Sequence, residues 1–294
     1  MILQNEQSMD KFSSILKKLV DIAAEDHYNP YKEFEWVDSL DPNQMWMSPS
    51  LMSVYNTNFY NDLPEARIQA LSKWESINFY SLNVHGIREL LIEVIKRIHT
   101  EGFELPSEFF HHFVGEENEH MWFFSKFCLN YGGKIYVDKK VKVENSGKEA
   151  FENFLVFARI LIFEEIVDYF NICMGADQSL HPIIRKINKV HHMDESRHIA
   201  FGREIVKLLH SDLKETQSIE QLYLLETYIK RYMVSSIHSL YNPTVYKDAG
   251  FDEPYAFRNT LIDLPERVEI HEKILKRTTD FFVKSEIFTK KELF

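Results

Sequence analysis

Two short segments constrain this chain more than anything else in it: Glu116-Glu117-Asn118-Glu119-His120 and His191-His192-Met193-Asp194-Glu195-Ser196-Arg197-His198. Each sets a carboxylate and an imidazole three residues apart inside a stretch that reads as helix, so both side chains of a pair project from one face. A helical bundle holds two metal ions with this arrangement. One lone Glu comes from each of two helices and a Glu-x-x-His pair from each of the other two, all pointing inward.

A third match, Glu108-Phe109-Phe110-His111, shows that the spacing also arises by chance in a chain with 13 His. From Glu108 to Glu117 the helix turns by roughly 180°, so only one of the two pairs can face a bundle. Glu117 and His120 lie deeper in the helix and are the better candidates, which leaves Glu108 and His111 as a solvated first turn. The second segment is richer. His191, Glu195 and His198 follow i, i+4, i+7 and share one stripe. The bland alternative, an exposed polar stripe with a salt bridge, is weakened by the preceding apolar stretch, where Glu164 and Glu165 sit among Ile160, Leu161, Ile162, Phe163, Ile166 and Val167. A carboxylate there is costly unless it is paired or metal-bound.

Low Gly and Pro, 9 of each in 294 residues that are 45% hydrophobic, points to long helices around one large core. A formal net charge of -11 speaks against a nucleic-acid partner, which needs surplus Lys and Arg. Cys128 and Cys173 are too few for a disulfide framework, and the N-terminus has no basic start followed by an apolar run. No apolar run is long enough to span a bilayer. These features together predict a soluble, cytoplasmic protein.

No repeat or convincing linker divides the chain, so we expect one domain over residues 1–294. A flanking segment covers 1–62, the bundle core about 63–210, and C-terminal helices 211–294. Periodicity predicts helix from Leu63-Pro64 through Trp74 and on from Val84 to His99, then Phe109 to Leu129 and Phe151 to Met174. Further helices are expected over Pro182 to His210, Ile219 to Tyr241 and Pro265 to Phe288, with a loop rich in Lys, Val and Asn up to about Gly147.

Heights along antiparallel helices propose the remaining ligands. Glu89 stands as far before Thr100 as Glu117 stands after Pro106, and Glu164 and Glu195 match across the next turn to within one helical turn. Glu93 is the alternative to Glu89, and Glu165 to Glu164. His85, one turn before Glu89, reads as structural. Glu116 and Asp194, each directly preceding a candidate Glu, are proposed acceptors for imidazole N–H groups, against the alternative of ordinary helix-edge acids paired with Arg197.

Glu89, Glu117-x-x-His120, Glu164 and His191-x-x-x-Glu195-x-x-His198 together resemble the non-haem di-iron N-oxygenases related to the p-aminobenzoate N-oxygenase of aureothin biosynthesis, over roughly residues 45 to 240. The extra His one turn before the second Glu-x-x-His, here His191, carries the resemblance. It implies an all-α, ferritin-like four-helix bundle with additional N- and C-terminal helices, two iron ions (Fe2+/Fe3+) held by Glu89, Glu117, His120, Glu164, His191, Glu195 and His198, and O2 as co-substrate. It further implies oxidation of a small-molecule amine to hydroxylamine, nitroso or nitro, an external electron donor and a homodimer. No catalytic residue is expected beyond the metal ligands. Four carboxylates would balance two divalent ions, and Phe109, Phe110, Phe113, Phe123, Phe124 and Phe163 are candidate walls of a dry pocket, though plain core packing is the better reading of each taken singly. The alternatives are a di-iron hydroxylase or desaturase acting on carbon, a ferritin-like ferroxidase, and an all-helical interaction protein whose stripes are salt bridges.

Overall fold

The computed structural model describes residues 6–137 and 149–293. The part of the Lys-, Val- and Asn-rich loop that runs from 138 to 147 lies outside the described residues. Four long helices form the core: α4 (Glu65–Ile95), α5 (Ser107–Phe127), α6 (Glu149–Ala176) and α7 (Pro182–Thr216). Before them come α1 (Glu6–Glu25) and the short α2 (Pro30–Glu33) and α3 (Asn58–Asp62). After them come α8 (Ile219–Ser239), α9 (Pro243–Asp248), α10 (Pro254–Ile262) and α11 (Pro265–Lys284). Among the described residues there is no strand, and no helix is long and apolar enough to cross a membrane.

The helix ends follow local chemistry. Pro182 and Pro265 occupy first-turn positions where a missing N–H costs nothing, and His181 caps α7 by accepting from the Ile183 N–H. Ser218 and Gln221 form a reciprocal capping box on α8. Beyond α5 the chain makes one wide turn over Cys128–Gly132 and stops at Gly133, whose φ of 68° suits glycine. The helical pattern expected from Leu63 to His99 is the single helix α4, and it ends at Ile95 rather than at His99.

Contacts fix the directions. Tyr80 stacks on Phe124 while Arg97 lies near Phe103 in the loop ahead of α5, so α4 and α5 run antiparallel. Phe79 stacks on Phe170 and Arg97 donates to Asn153, so α4 and α6 are antiparallel too. Phe109 and Phe110 meet Phe201, whereas His120 meets His191, which sets α5 against α7. At Gly86 an added Cβ would fall 2.4 Å from the Phe163 ring, so the missing side chain lets α4 close on α6 beside the middle of the bundle. α6 buries almost its whole circumference, in keeping with its apolar sequence.

Candidate metal centre

Six of the seven sequence-predicted ligands meet at the centre of the bundle. Glu117, His120, His191 and Glu195 offer one set of donor atoms, all within 4.8 Å of one another; Glu117, Glu164, Glu195 and His198 offer a second. Glu117 and Glu195 belong to both sets, as two bridging acids between two ions would. All six side chains are buried. Helix α5 supplies Glu117 and His120, α6 supplies Glu164, and α7 supplies the His191, Glu195, His198 stripe, each at the i, i+3 or i, i+4 spacing that aligns side chains on one face.

Donor atoms left without hydrogen-bond partners are the clearest sign of what the cluster holds. Glu117 Oε2, His120 Nδ1, both oxygens of Glu164, His191 Nε2, Glu195 Oε2 and His198 Nδ1 are all buried and unpartnered. His191 Nε2 lies 2.7 Å from Glu195 Oε1 and His198 Nδ1 lies 2.9 Å from Glu117 Oε1, close enough for charge but not aligned as hydrogen bonds. Buried polar atoms are rarely left unsatisfied. Converging carboxylate and imidazole lone pairs suit divalent transition-metal ions.

Each ring is held by its other nitrogen. His120 Nε2 donates to Asp194 Oδ2 at 2.9 Å and His198 Nε2 donates to Glu116 Oε2 at 2.8 Å, which leaves both Nδ1 lone pairs facing inward. The Asn171 carboxamide meets His191 Nδ1 at 2.8 Å; with its oxygen turned to accept from Nδ1–H, His191 Nε2 keeps its lone pair for the cluster. Arg197 ties the two outer acids together, donating to Glu116 Oε1 at 2.8 Å and to Asp194 Oδ1 at 2.5 Å, and Tyr28 donates to Asp194 at 3.2 Å. Glu116 and Asp194 thus touch both the imidazoles and Arg197.

Electrostatics tells the same story. Burial, reinforced by the Glu195 charge, pushes Glu164 well above the usual carboxylate range. At Glu195 burial works the same way, but His191 and His198 overcome it and hold the acid well below that range. Burial opposes charging His120, yet Glu117 and Asp194 raise it to about 10, and Glu164 and Glu116 outweigh burial to lift His198 well above its ordinary value. Protons on imidazoles thus offset the buried acids, and a metal ion would displace them.

Glu89 corrects the sequence reading. Its side chain is 64% exposed and pairs with Arg88, away from the cluster. Height was matched to within a turn, but the face was not. Ile87 is the fully buried residue at that level, and two further residues turn the helix by about 200°. The alternative, Glu93, pairs with Lys96 and Arg97 at the surface. Glu165 is buried outside the cluster, bound by Arg203. Glu108 and the His111 ring lie outside it as well, on the exposed side of α5, and His85 meets the Tyr136 carbonyl.

Sequence reasoning missed Asn171 and Tyr28. Asn171 lies seven residues after Glu164, on the same helical face, and was findable; Tyr28, which reaches Asp194 from far along the chain, left no sequence signal. It also missed Phe157 and Phe201, which with Val94, Phe110, Phe113 and His198 line a small apolar cavity of about 10 Å³ beside the cluster. Phe113 packs on the His198 ring at 4.4 Å. Larger grooves, about 840 Å³ along α8 and about 750 Å³ between α7 and α11, contain no member of the cluster.

A family model described as p-aminobenzoate N-oxygenase AurF matches residues 10–286. No curated protein matches the chain. Among solved structures, the chain is similar to two single-residue mutants of an R2-like ligand-binding oxidase, each with an anaerobically reconstituted Mn/Fe cofactor, at TM-scores of 0.55 and 0.52. Each is 14% identical, with 94% of both chains covered. At that identity the likeness concerns the fold, a helical bundle of the ferritin-like kind.

Proposed function

The chain belongs to the p-aminobenzoate N-oxygenase family, and we propose that it is a di-iron enzyme that uses O2 to oxidise a small-molecule amine at nitrogen. One observation carries the site: two overlapping sets of buried carboxylate and imidazole donors, with Glu117 and Glu195 common to both and their inward lone pairs unpartnered. Glu117, His120, His191 and Glu195 would hold one ion, and Glu117, Glu164, Glu195 and His198 the other. When bound, the two ions would supply reduction of O2 and delivery of one oxygen atom.

The chain's own residues prepare that chemistry. Asp194, Glu116 and Asn171 fix the three imidazoles in the tautomers that present lone pairs inward. Arg197 pairs with both outer acids and offsets one of their two negative charges. Phe110, Phe113, Phe157 and Phe201 pack on the His198 side and keep water from it. Conversion of an amine to a hydroxylamine forms one N–O bond and sends the second oxygen atom of O2 to water. It therefore consumes two electrons and two protons, which an external donor must provide. A homodimer is part of this reading.

The direct test is metal analysis followed by O2 consumption. Two irons per chain, and O2 uptake by the chemically reduced protein that depends on an added arylamine and yields its hydroxylamine, nitroso or nitro product, support the reading. Failure to bind stoichiometric iron after anaerobic reconstitution would overturn it. Hydroxylation of substrate carbon instead would keep the metal centre and replace the reaction.

A further inference from the structure

Three of the four core helices give carboxylates to the cluster, and α4 gives none. Bundle sites of this kind draw a carboxylate from every helix. What α4 buries at the matching height is Asn83, 0% exposed, whose Oδ1 has no hydrogen-bond partner. Its Nδ2 donates to the Phe79 carbonyl of its own helix at 2.8 Å, which anchors the carboxamide and turns Oδ1 away from that carbonyl.

Neighbours locate Asn83 in the bundle. One turn earlier, Tyr80 accepts from Asn188 Nδ2 at 2.8 Å and stacks on Phe124, and Phe124 packs against His191 at 4.8 Å. One turn later, Gly86 lies against Phe163, the residue before Glu164. Stepping one turn along α4 from Tyr80 leads to His191 on parallel α7 and to His120 on antiparallel α5. Asn83 thus stands level with the two imidazoles of the first donor set.

We propose that Asn83 is the contribution of α4 to the metal centre: a neutral amide oxygen that serves the Glu117, His120, His191, Glu195 position where a carboxylate would otherwise stand. This rests on the proposed di-metal reading. The two positions are then unequal. One has the shared acids, two imidazoles and an amide; the other has the shared acids, Glu164 and one imidazole. Carboxylates favour hard, highly charged ions, so the Glu164 position fills first and the Asn83 position binds its divalent ion more weakly.

Anaerobic titration of the full chain with Mn(II), followed by calorimetry and by the Mn(II) electron paramagnetic resonance signal, tests this without reference to activity. The wild type should take up two ions in two steps separated at least tenfold in affinity. Asn83→Asp, of the same shape but charged, should tighten the weaker step tenfold or more and draw the two together. Asn83→Leu, which keeps the branched skeleton and removes the amide oxygen, should weaken the weaker step about tenfold and leave the tighter one in place. If both variants fold as the wild type and bind Mn(II) with its unchanged two-step curve, Asn83 is only a core residue and the proposal fails. Wild-type protein that takes up no Mn(II) or Fe(II) would instead defeat the metal-centre reading itself.

Discussion

Two of the places where the molecule buries acids neutralise them differently. In the central cluster, Glu117, Glu164 and Glu195 converge with three imidazoles and leave their inward atoms unpartnered. About two turns before Asn83 on the same helix α4, Glu75 accepts from the Ser53 N–H and lies near Arg267, which donates to the Tyr241 hydroxyl at 2.8 Å and to the Tyr55 carbonyl at 2.8 Å. Tyr241 in turn meets His271 at 2.6 Å. The second network carries its own permanent cation and ties α11 to α4. The first has only imidazoles, whose charge depends on protons. A buried acid with a resident guanidinium is a structural element, whereas buried acids whose lone pairs converge on one another call for an ion from outside.

Metal removal should separate the two most strongly. Wild-type protein stripped by a chelator should unfold at a markedly lower temperature than the iron- or manganese-loaded form, since an ion at a thousandfold excess over its dissociation constant stabilises by about 4 kcal/mol. Glu117→Gln should abolish that gain, because both positions share this acid, and the metal-free variant should be more stable than metal-free wild type, because one member of a crowded acid set is gone. Thermal unfolding with and without metal measures both. A Glu117→Gln protein that still gained wild-type stabilisation from metal would break the contrast.

Arg267→Leu should destabilise by on the order of 3 kcal/mol, because it removes two hydrogen bonds from a buried charged donor and leaves the Tyr55 carbonyl and Tyr241 hydroxyl without it, and should leave metal stoichiometry at the wild-type value. The effect depends on pH through Glu75. Burial raises its carboxyl to about 7, against an ordinary value near 4.5. Between those values the folded chain keeps a proton that the unfolded chain has lost, so Glu75's contribution makes stability fall as pH rises from about 4.5 to 7. Glu75→Gln should remove that part of the slope, which denaturant unfolding at several pH values would measure.

Smaller effects belong to the residues behind the ligands. Glu116→Gln and Asp194→Asn should each weaken metal binding by about 10- to 100-fold without changing its stoichiometry, because each holds the far nitrogen of one imidazole. Anaerobic metal titration reads this directly. A loss of one whole ion per chain would mean that these acids bind metal themselves.

Six cluster residues were legible in the sequence because helices convert spacing into direction. Glu117 with His120, and His191 with Glu195 and His198, needed only the helical period; Glu164 needed in addition the improbability of a carboxylate in so apolar a segment. The fold class followed from the same periodicity and the low Gly and Pro content. Facts that depend on azimuth and on distant contacts were not legible. Asn83 carries no charge and looks like any polar residue in a helix, and Tyr28 reaches Asp194 across 166 positions of sequence. The Glu75–Arg267 network joins helices separated by most of the chain, so no local pattern announces it.

Glu89 gives the smallest effect. It matches Glu117 in height, yet it sits at the surface beside Arg88, where an ion pair is worth little. Glu89→Ala should shift stability by no more than about 0.5 kcal/mol, as exposed substitutions do, and should leave both metal-binding steps where they are. Asn83→Leu, on the same helix and less than two turns earlier, should move the weaker step about tenfold. The two variants together ask whether facing direction or height along α4 decides membership of the site. A Glu89→Ala protein that lost an ion would return the fourth carboxylate to α4 and remove the reason for assigning that place to Asn83.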